Sequence, residues 1–412
     1  MISQKAIILL LFFVLGTKRI LVESAPTSIE EDRSRNIERY VAKFNTLFSK
    51  FIHDDLKPGE NMLFSPLNIY TTLALLHLGS NGETKRELSD ALGIPASDAG
   101  STAHQDLGKI LNDLQTSNGA EVRIANSVFV QKGLKLKDSY LQDTRNYYKN
   151  EAQQVDFKKG GSEATNIVNN WASINTKNRI PQLFKSEIPS ETSLLLASAL
   201  FFNASWQEPF GTWATKDEKF NTGAKQTTVK MMHSKEYVPY MNIEQLGIEA
   251  ISLPYKNNEF SMAVFLPYEN KSVNVFVDGL NTEIQQLITR EFSSKRNFVE
   301  YKIPRFKFDW KRNINALVMK SGIKKIFKNA ELHEMIENSE YLKVSEISHA
   351  AEIQVDESGT MASAISYGVE VLMAKHDPEP IKFYVDRPFA FWIYHHKSGI
   401  VLFTGIVQNP TV

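Results

Sequence analysis

Helical spacing crowds the first half of this chain and strand alternation fills the second, with no βαβ rhythm between them. In 34–52, Ile37, Tyr40, Val41, Phe44, Leu47, Phe48 and Phe51 share one helical face. SPLNIYTTLALLHLG (65–79) opens with Ser65 as N-cap and Pro66 at the first helical position, and closes on Gly79. ETKRELSDALG (83–93) reads as a short helix ending at Gly93, and 165–175 returns to helical spacing. Alternation predicts strands at 122–130 and 297–310, a hairpin around Lys256-Asn257-Asn258, and a final pair from FAFWIYH and GIVLFTGIV. Separated runs of this kind predict an α+β fold with mostly antiparallel sheets. No linker, repeat or low-complexity block divides the chain, so one domain is expected over 25–412.

Residues 1–24 read as a signal peptide. Lys5 precedes the apolar run 6–15, which is too short to span a bilayer and stops before Lys18 and Arg19. A signal anchor is the alternative. Cleavage near Ala25 removes Lys5, Lys18, Arg19 and Glu23, three positive charges and one negative, which moves the formal charge from zero to −2. That balance argues against a nucleic-acid partner, and no other run long enough for a membrane span exists. The expected product is secreted. With no cysteine in 412 residues, it must be held by core burial alone. Two sequons, at Asn203 and Asn270, are glycosylation candidates if exposed.

Catalytic motifs are absent. There is no glycine-rich phosphate loop, GxSxG elbow or HExxH pair; Glu337 stands where HEMIE would need its second histidine, so no metal site is expected. His349 reads as a hydrogen-bonded core residue rather than a ligand. The basic stretch ending in KIPRFKFDWKR alternates like a solvated strand face more than a polyanion site.

From about residue 34 to 410 the sequence resembles the serpin family. NMLFSPLNIYTTLALLHLGSNGETKRELSDALG is similar to the family's second and third helices. VNNWASINTKNRIPQLF is similar to the helix lying across its main sheet, with Asn178 where glycine is usual; asparagine suits a left-handed position. LPYKNNEFSMAVFLP, IPRFKF, SGIKKIF and FYVDRPFAFWI continue the match, with Ala390 replacing a larger apolar residue. The resemblance implies about nine helices on three mostly antiparallel sheets, with an exposed reactive-centre loop over about 357–380.

It also implies a function. A serpin baits a protease with this loop, then traps the acyl-enzyme as the cleaved loop enters the main sheet as an extra strand. DESGTMASAIS (356–366) resembles the loop hinge, with Glu357, Gly359, Thr360, Ala362, Ser363 and Ala364 as its residues. Thr360, Ala362, Ala364, Ser366 and Gly368 share the inward parity and are small, while Ile365 points outward. Glu370 shares the inward parity and would oppose complete insertion. Family spacing from Glu357 puts the reactive bond at Met373-Ala374, with Leu372 and Lys375 as alternatives. An elastase-like or chymotrypsin-like target is favoured, and a trypsin-like one is the alternative.

Trp206, Ser65, Asn68, Ser198 and His349 match positions that govern sheet opening. Asn68 and Ser198 read as though the family's serine and asparagine had exchanged places, so a bond between them is expected. Strand parity turns Ser198 and Trp206 inward and Asn203 toward solvent. The leading reading is a secreted, monomeric suicide inhibitor that is not an enzyme and takes no cofactor; HQDLGKILNDLQ, with one lysine and two aspartates, does not support a heparin-type one. A non-inhibitory carrier and a cross-class inhibitor of cysteine proteases are the alternatives.

Overall fold

The computed structural model describes residues 29–95, 101–149, 152–292, 296–337, 342–361 and 378–411. Nine α-helices and fifteen strands occur among them. The central helix Pro66–Gly79 starts as its sequence dictates: the Ser65 side chain accepts from the Asn68 N–H, and Pro66 occupies the first turn, where a backbone donor is dispensable. It is buried on nearly every side, because it lies between the first helix, Ile29–Asp54, and two sheets.

The main sheet has six strands in the order Phe306–Asn313, Glu346–Asp356, Gly359–Thr360, Leu194–Ser205, Glu121–Gln131, Gln153–Val155. The other two sheets are joined through one long strand, Gln226–Ile243. It pairs with Arg296–Pro304 over 231–239 and with Ile248–Pro254 over 240–243. The expected strand at 297–310 is in fact two, one in each network. The break falls at Pro304-Arg305, where proline has no N–H to offer a ladder and the Arg305 N–H turns to the Lys230 carbonyl, 2.8 Å away.

Helix Gly161–Asn175 lies on the outer face of the main sheet, packing Ala164, Val168 and Ala172 into a second core with Ala125, Phe129, Ala197, Ala199 and Ala350. Small side chains on both surfaces let the helix approach closely. The chain leaves it through Asn178 at φ +62°, the left-handed conformation the sequence calls for. Asn257 and Asn258 turn the predicted hairpin at φ +72° and +57°.

Candidate functional site: the gap at the head of the main sheet

The two central strands of the main sheet pair for only part of their length. Leu195–Leu200 run parallel to Glu346–Ala351 in continuous register. Above that the strands separate, and Gly359–Thr360 occupies the opening. Thr360 pairs with Val355 on one side and Ala204 on the other, and Gly359 with Asp356 and Ser205. Two residues of the segment that resembles the hinge therefore lie as a short strand between the two central ones.

Backbone chemistry explains why these residues fit. Gly359 has φ +152°, and a Cβ there would lie 2.1 Å from the Ala204 carbonyl oxygen. Only glycine passes. Thr360 is buried, with its hydroxyl 2.6 Å from the Tyr255 hydroxyl. Tyr255 stacks on Trp206 with ring centroids 4.6 Å apart. Trp206 in turn holds the turn before the hinge: its indole N–H donates to the Asp356 carbonyl and its backbone N–H to the Ser358 carbonyl, each at 2.9 Å. Met361, at φ +57°, ends the described hinge with its N–H on the Gln354 carbonyl.

Glu357 anchors the same turn. Its carboxylate receives the Arg305 guanidinium, with Nε at 2.8 Å, and the Thr215 hydroxyl. Burial works against the charge, but these hydrogen bonds outweigh it and hold the carboxyl below its ordinary pKa. Tyr255, Arg305 and Thr215 are parts of the site that sequence reasoning missed. Tyr255 sits at the mouth of the hairpin turn, and Arg305 at the proline break, so each had a positional signal but no chemical one.

Lower in the sheet, Ser65, Ser198 and His349 come together and are fully buried. The Ser65 backbone N–H donates to His349 Nε2 at 3.1 Å, and His349 Nδ1 lies 2.6 Å from Ser198 Oγ. A backbone N–H can only donate, so Nε2 must be the unprotonated nitrogen and Nδ1–H donates to Ser198. Burial supports the neutral ring by pushing its pKa down to about 3. The bond expected between Asn68 and Ser198 is not formed. Ser198 is taken by His349, and the Asn68 amide reaches the Ala125 carbonyl on the next strand at 3.5 Å. Helix and sheet are linked instead by Thr72 and Asn126, with the Thr72 hydroxyl 2.6 Å from Asn126 Oδ1.

Trp206 and Ser198 face inward as expected. Asn203 is half-buried rather than open to solvent, opposite Glu121 on the neighbouring strand. Asn270 is exposed. Ala362, Ser363, Ala364, Glu370, Leu372, Met373, Ala374 and Lys375 lie outside the described residues. The basic stretch is neutralised one residue at a time: Lys302 by Glu218, Arg305 by Glu357, Lys311 by Asp309 and Arg312 by Glu60. Among the described residues no group of three or more His, Cys, Asp or Glu is placed to hold a metal, and no helix is long and apolar enough to cross a membrane.

Residues 42–410 match the family model described as serpin, serine protease inhibitor. The chain belongs to the serpin family. Among its relatives is the pig (Sus scrofa) leukocyte elastase inhibitor, 32% identical over 372 residues that cover 87% of this serpin and 95% of the relative. Iripin-2 of the tick Ixodes ricinus is 30% identical over 85% of this chain and 88% of its own. Human thyroxine-binding globulin, solved with its hormone bound, superposes with a TM-score of 0.82 at 24% identity, over 92% of this serpin and 100% of that chain. That likeness speaks to the fold alone.

Proposed function

We propose that this serpin is a secreted suicide inhibitor of an elastase-like or chymotrypsin-like serine protease, attacked at Met373-Ala374. Residues 1–24 act as the signal peptide, and the mature chain works as a monomer without catalysis of its own. The observation that carries the reading is the seating of Gly359–Thr360 between the two central strands. Two residues already lie between the strands at the head of the sheet, and the sequence from Ala362 to Ser366 holds no proline or charge to oppose further entry.

The protease serine attacks the Met373 carbonyl and expels the Ala374 amine, leaving an ester to the enzyme. The freed segment then zips downward from Thr360, separating Leu195–Leu200 from Glu346–Ala351 and pairing with both. About a dozen strand residues at ~0.5–1.5 kcal/mol per net hydrogen bond drive the step with on the order of ten kcal/mol. The enzyme is carried along before water reaches the ester. The name of the pig relative supports a target that accepts an uncharged apolar side chain such as that of Met373.

The test is to mix the full-length secreted protein separately with elastase, chymotrypsin and trypsin, and to examine each mixture on a denaturing gel with mass spectrometry of the released peptide. An SDS-stable complex with elastase or chymotrypsin, and a peptide beginning at Ala374, is the expected result. Cleavage without any complex would overturn the inhibitory reading in favour of a carrier. A peptide beginning after Lys375 would overturn the assignment of the reactive bond.

A further inference from the structure

Four helices meet around a buried polar chain that the inhibitory mechanism does not use. His77, on Pro66–Gly79, places Nε2 3.0 Å from the Ser89 hydroxyl on Gly82–Leu92. Its Nδ1 lies 3.0 Å from Nε2 of His104, on Ser101–Thr116. His104 Nδ1 closes the chain on the Tyr148 hydroxyl, at the end of Asp138–Tyr148. Both imidazoles are 0% exposed, and Ser89 and Tyr148 are buried. Around them the backbones pack tightly: a Cβ on Gly108 would lie 2.4 Å from the Tyr147 carbonyl oxygen.

Proton counting shows what holds this chain together. With both rings neutral, hydrogens can run from Tyr148 through His104 and His77 to Ser89, or the reverse; either way every ring nitrogen is used, and each contact has one hydrogen. A first added proton forces the hydroxyl at the donating end, Tyr148 or Ser89, to accept and strips its hydrogen of that partner. A second, on the other ring, sets N–H against N–H and breaks the link between the rings. Among the described residues, no carboxylate bonds either ring. The groups acting on the rings are Lys85, which disfavours further positive charge, and each other; Tyr70, Tyr140 and Tyr147 surround Tyr148. Asp106, buried on the same helix as His104, is engaged by Lys109 at 3.7 Å.

We propose that the His77–His104 pair is an acid-operated latch that clamps helices Ser101–Thr116 and Asp138–Tyr148 to the central helix and releases them together when both rings are protonated. Ser101–Thr116 leads directly into Glu121–Gln131, the strand paired along Leu194–Ser205. Release therefore loosens one flank of the main sheet. The latch stands on the contacts alone and does not depend on the inhibitory reading. Burial places both rings in agreement with it, pushing the pKa of His77 down to about 4 and that of His104 to about 3. The closed latch excludes protons that the open one binds, so opening becomes easier as pH falls below 6.5, the ordinary histidine value.

Native-state hydrogen–deuterium exchange on the full chain between pH 7 and 4.5, corrected for intrinsic exchange chemistry, tests this. Peptides from 101–116 and 138–148 should lose protection tenfold per pH unit where one histidine titrates on opening, and hundredfold where both do. Peptides from Ile248–Pro254 and Phe260–Pro267 should keep theirs. His104→Gln should remove at least one of the two proton dependences. If that variant does not fold, the wild-type slopes decide alone. Protection that is independent of pH in the helices, or that falls equally in the helices and the reference strands, would overturn the latch.

Discussion

The hydroxyls of Tyr255 and Thr360 lie 2.6 Å apart beneath the head of the main sheet, where both residues are buried. This contact ties the loop hinge to the hairpin that Trp206 covers, and it fixes which side of the hinge faces the core. In a loop that enters the sheet as a strand, every later inward residue would follow from that one by alternation.

Thr360→Arg should therefore convert the protein from inhibitor to substrate. A guanidinium at this position would be buried without a partner, a cost of several kcal/mol, and the strand would not zip past it. The expected outcome is loop cleavage at an unchanged rate with at least a tenfold loss of SDS-stable complex, read as the ratio of complex to cleaved product on a gel. Equal complex formation by the variant would place the driving contacts elsewhere.

Ser198→Ala tests the gate lower in the sheet. It leaves the His349 Nδ1–H buried without an acceptor, which costs about 1–3 kcal/mol. Reversible urea unfolding should show that loss at pH 7, and a loss below a few tenths would mean that the cluster does not hold the strands together. Asn68→Ala should be milder, since its amide makes only the long contact to Ala125.

The pH dependence of stability follows from His349. Its folded pKa is depressed to about 3 from the ordinary 6.5 by burial, so the unfolded chain binds the proton more readily. The contribution is fully present above pH 6.5 and is lost as pH falls toward 3. His349→Gln, which can still accept from Ser65 and donate to Ser198, should flatten the stability–pH curve between 6 and 4 by about 1.4 kcal/mol per unit. An unchanged slope in urea titrations at pH 6, 5 and 4 would show that His349 does not titrate on unfolding.

Much of this arrangement was legible in the chain because local rules fixed it. Ser65 and Pro66 announce the start of the central helix, Asn257 and Asn258 the hairpin turn, and Asn178 the left-handed exit from the covering helix. What local rules do not reach is contact between distant segments. Read as one strand, 297–310 hides a slip of phase: the buried apolar positions run on odd numbers from Val299 to Ile303 and on even ones from Phe306, and the shift falls at Pro304-Arg305, where the chain changes sheet. Parity turned Asn203 toward solvent but carried no information about its neighbours, which leave it half-buried. Asn68 and Ser198 were paired by analogy, whereas the register of Leu195–Leu200 against Glu346–Ala351 puts His349 directly opposite Ser198. The His77–His104 link joins residues 27 apart in sequence, with no motif to mark it.

The seated hinge makes one quantity decisive, the stability of the protein after a single cut in its loop. The full chain would be nicked within 370–376 by a protease that does not remain bound, and its thermal unfolding compared with that of the intact protein. Insertion of the strand begun by Gly359–Thr360 predicts a large rise in Tm, by tens of degrees, together with new protection of residues 360–370 in hydrogen exchange. A nicked protein that melts at or below the intact Tm would contradict cleavage-driven insertion.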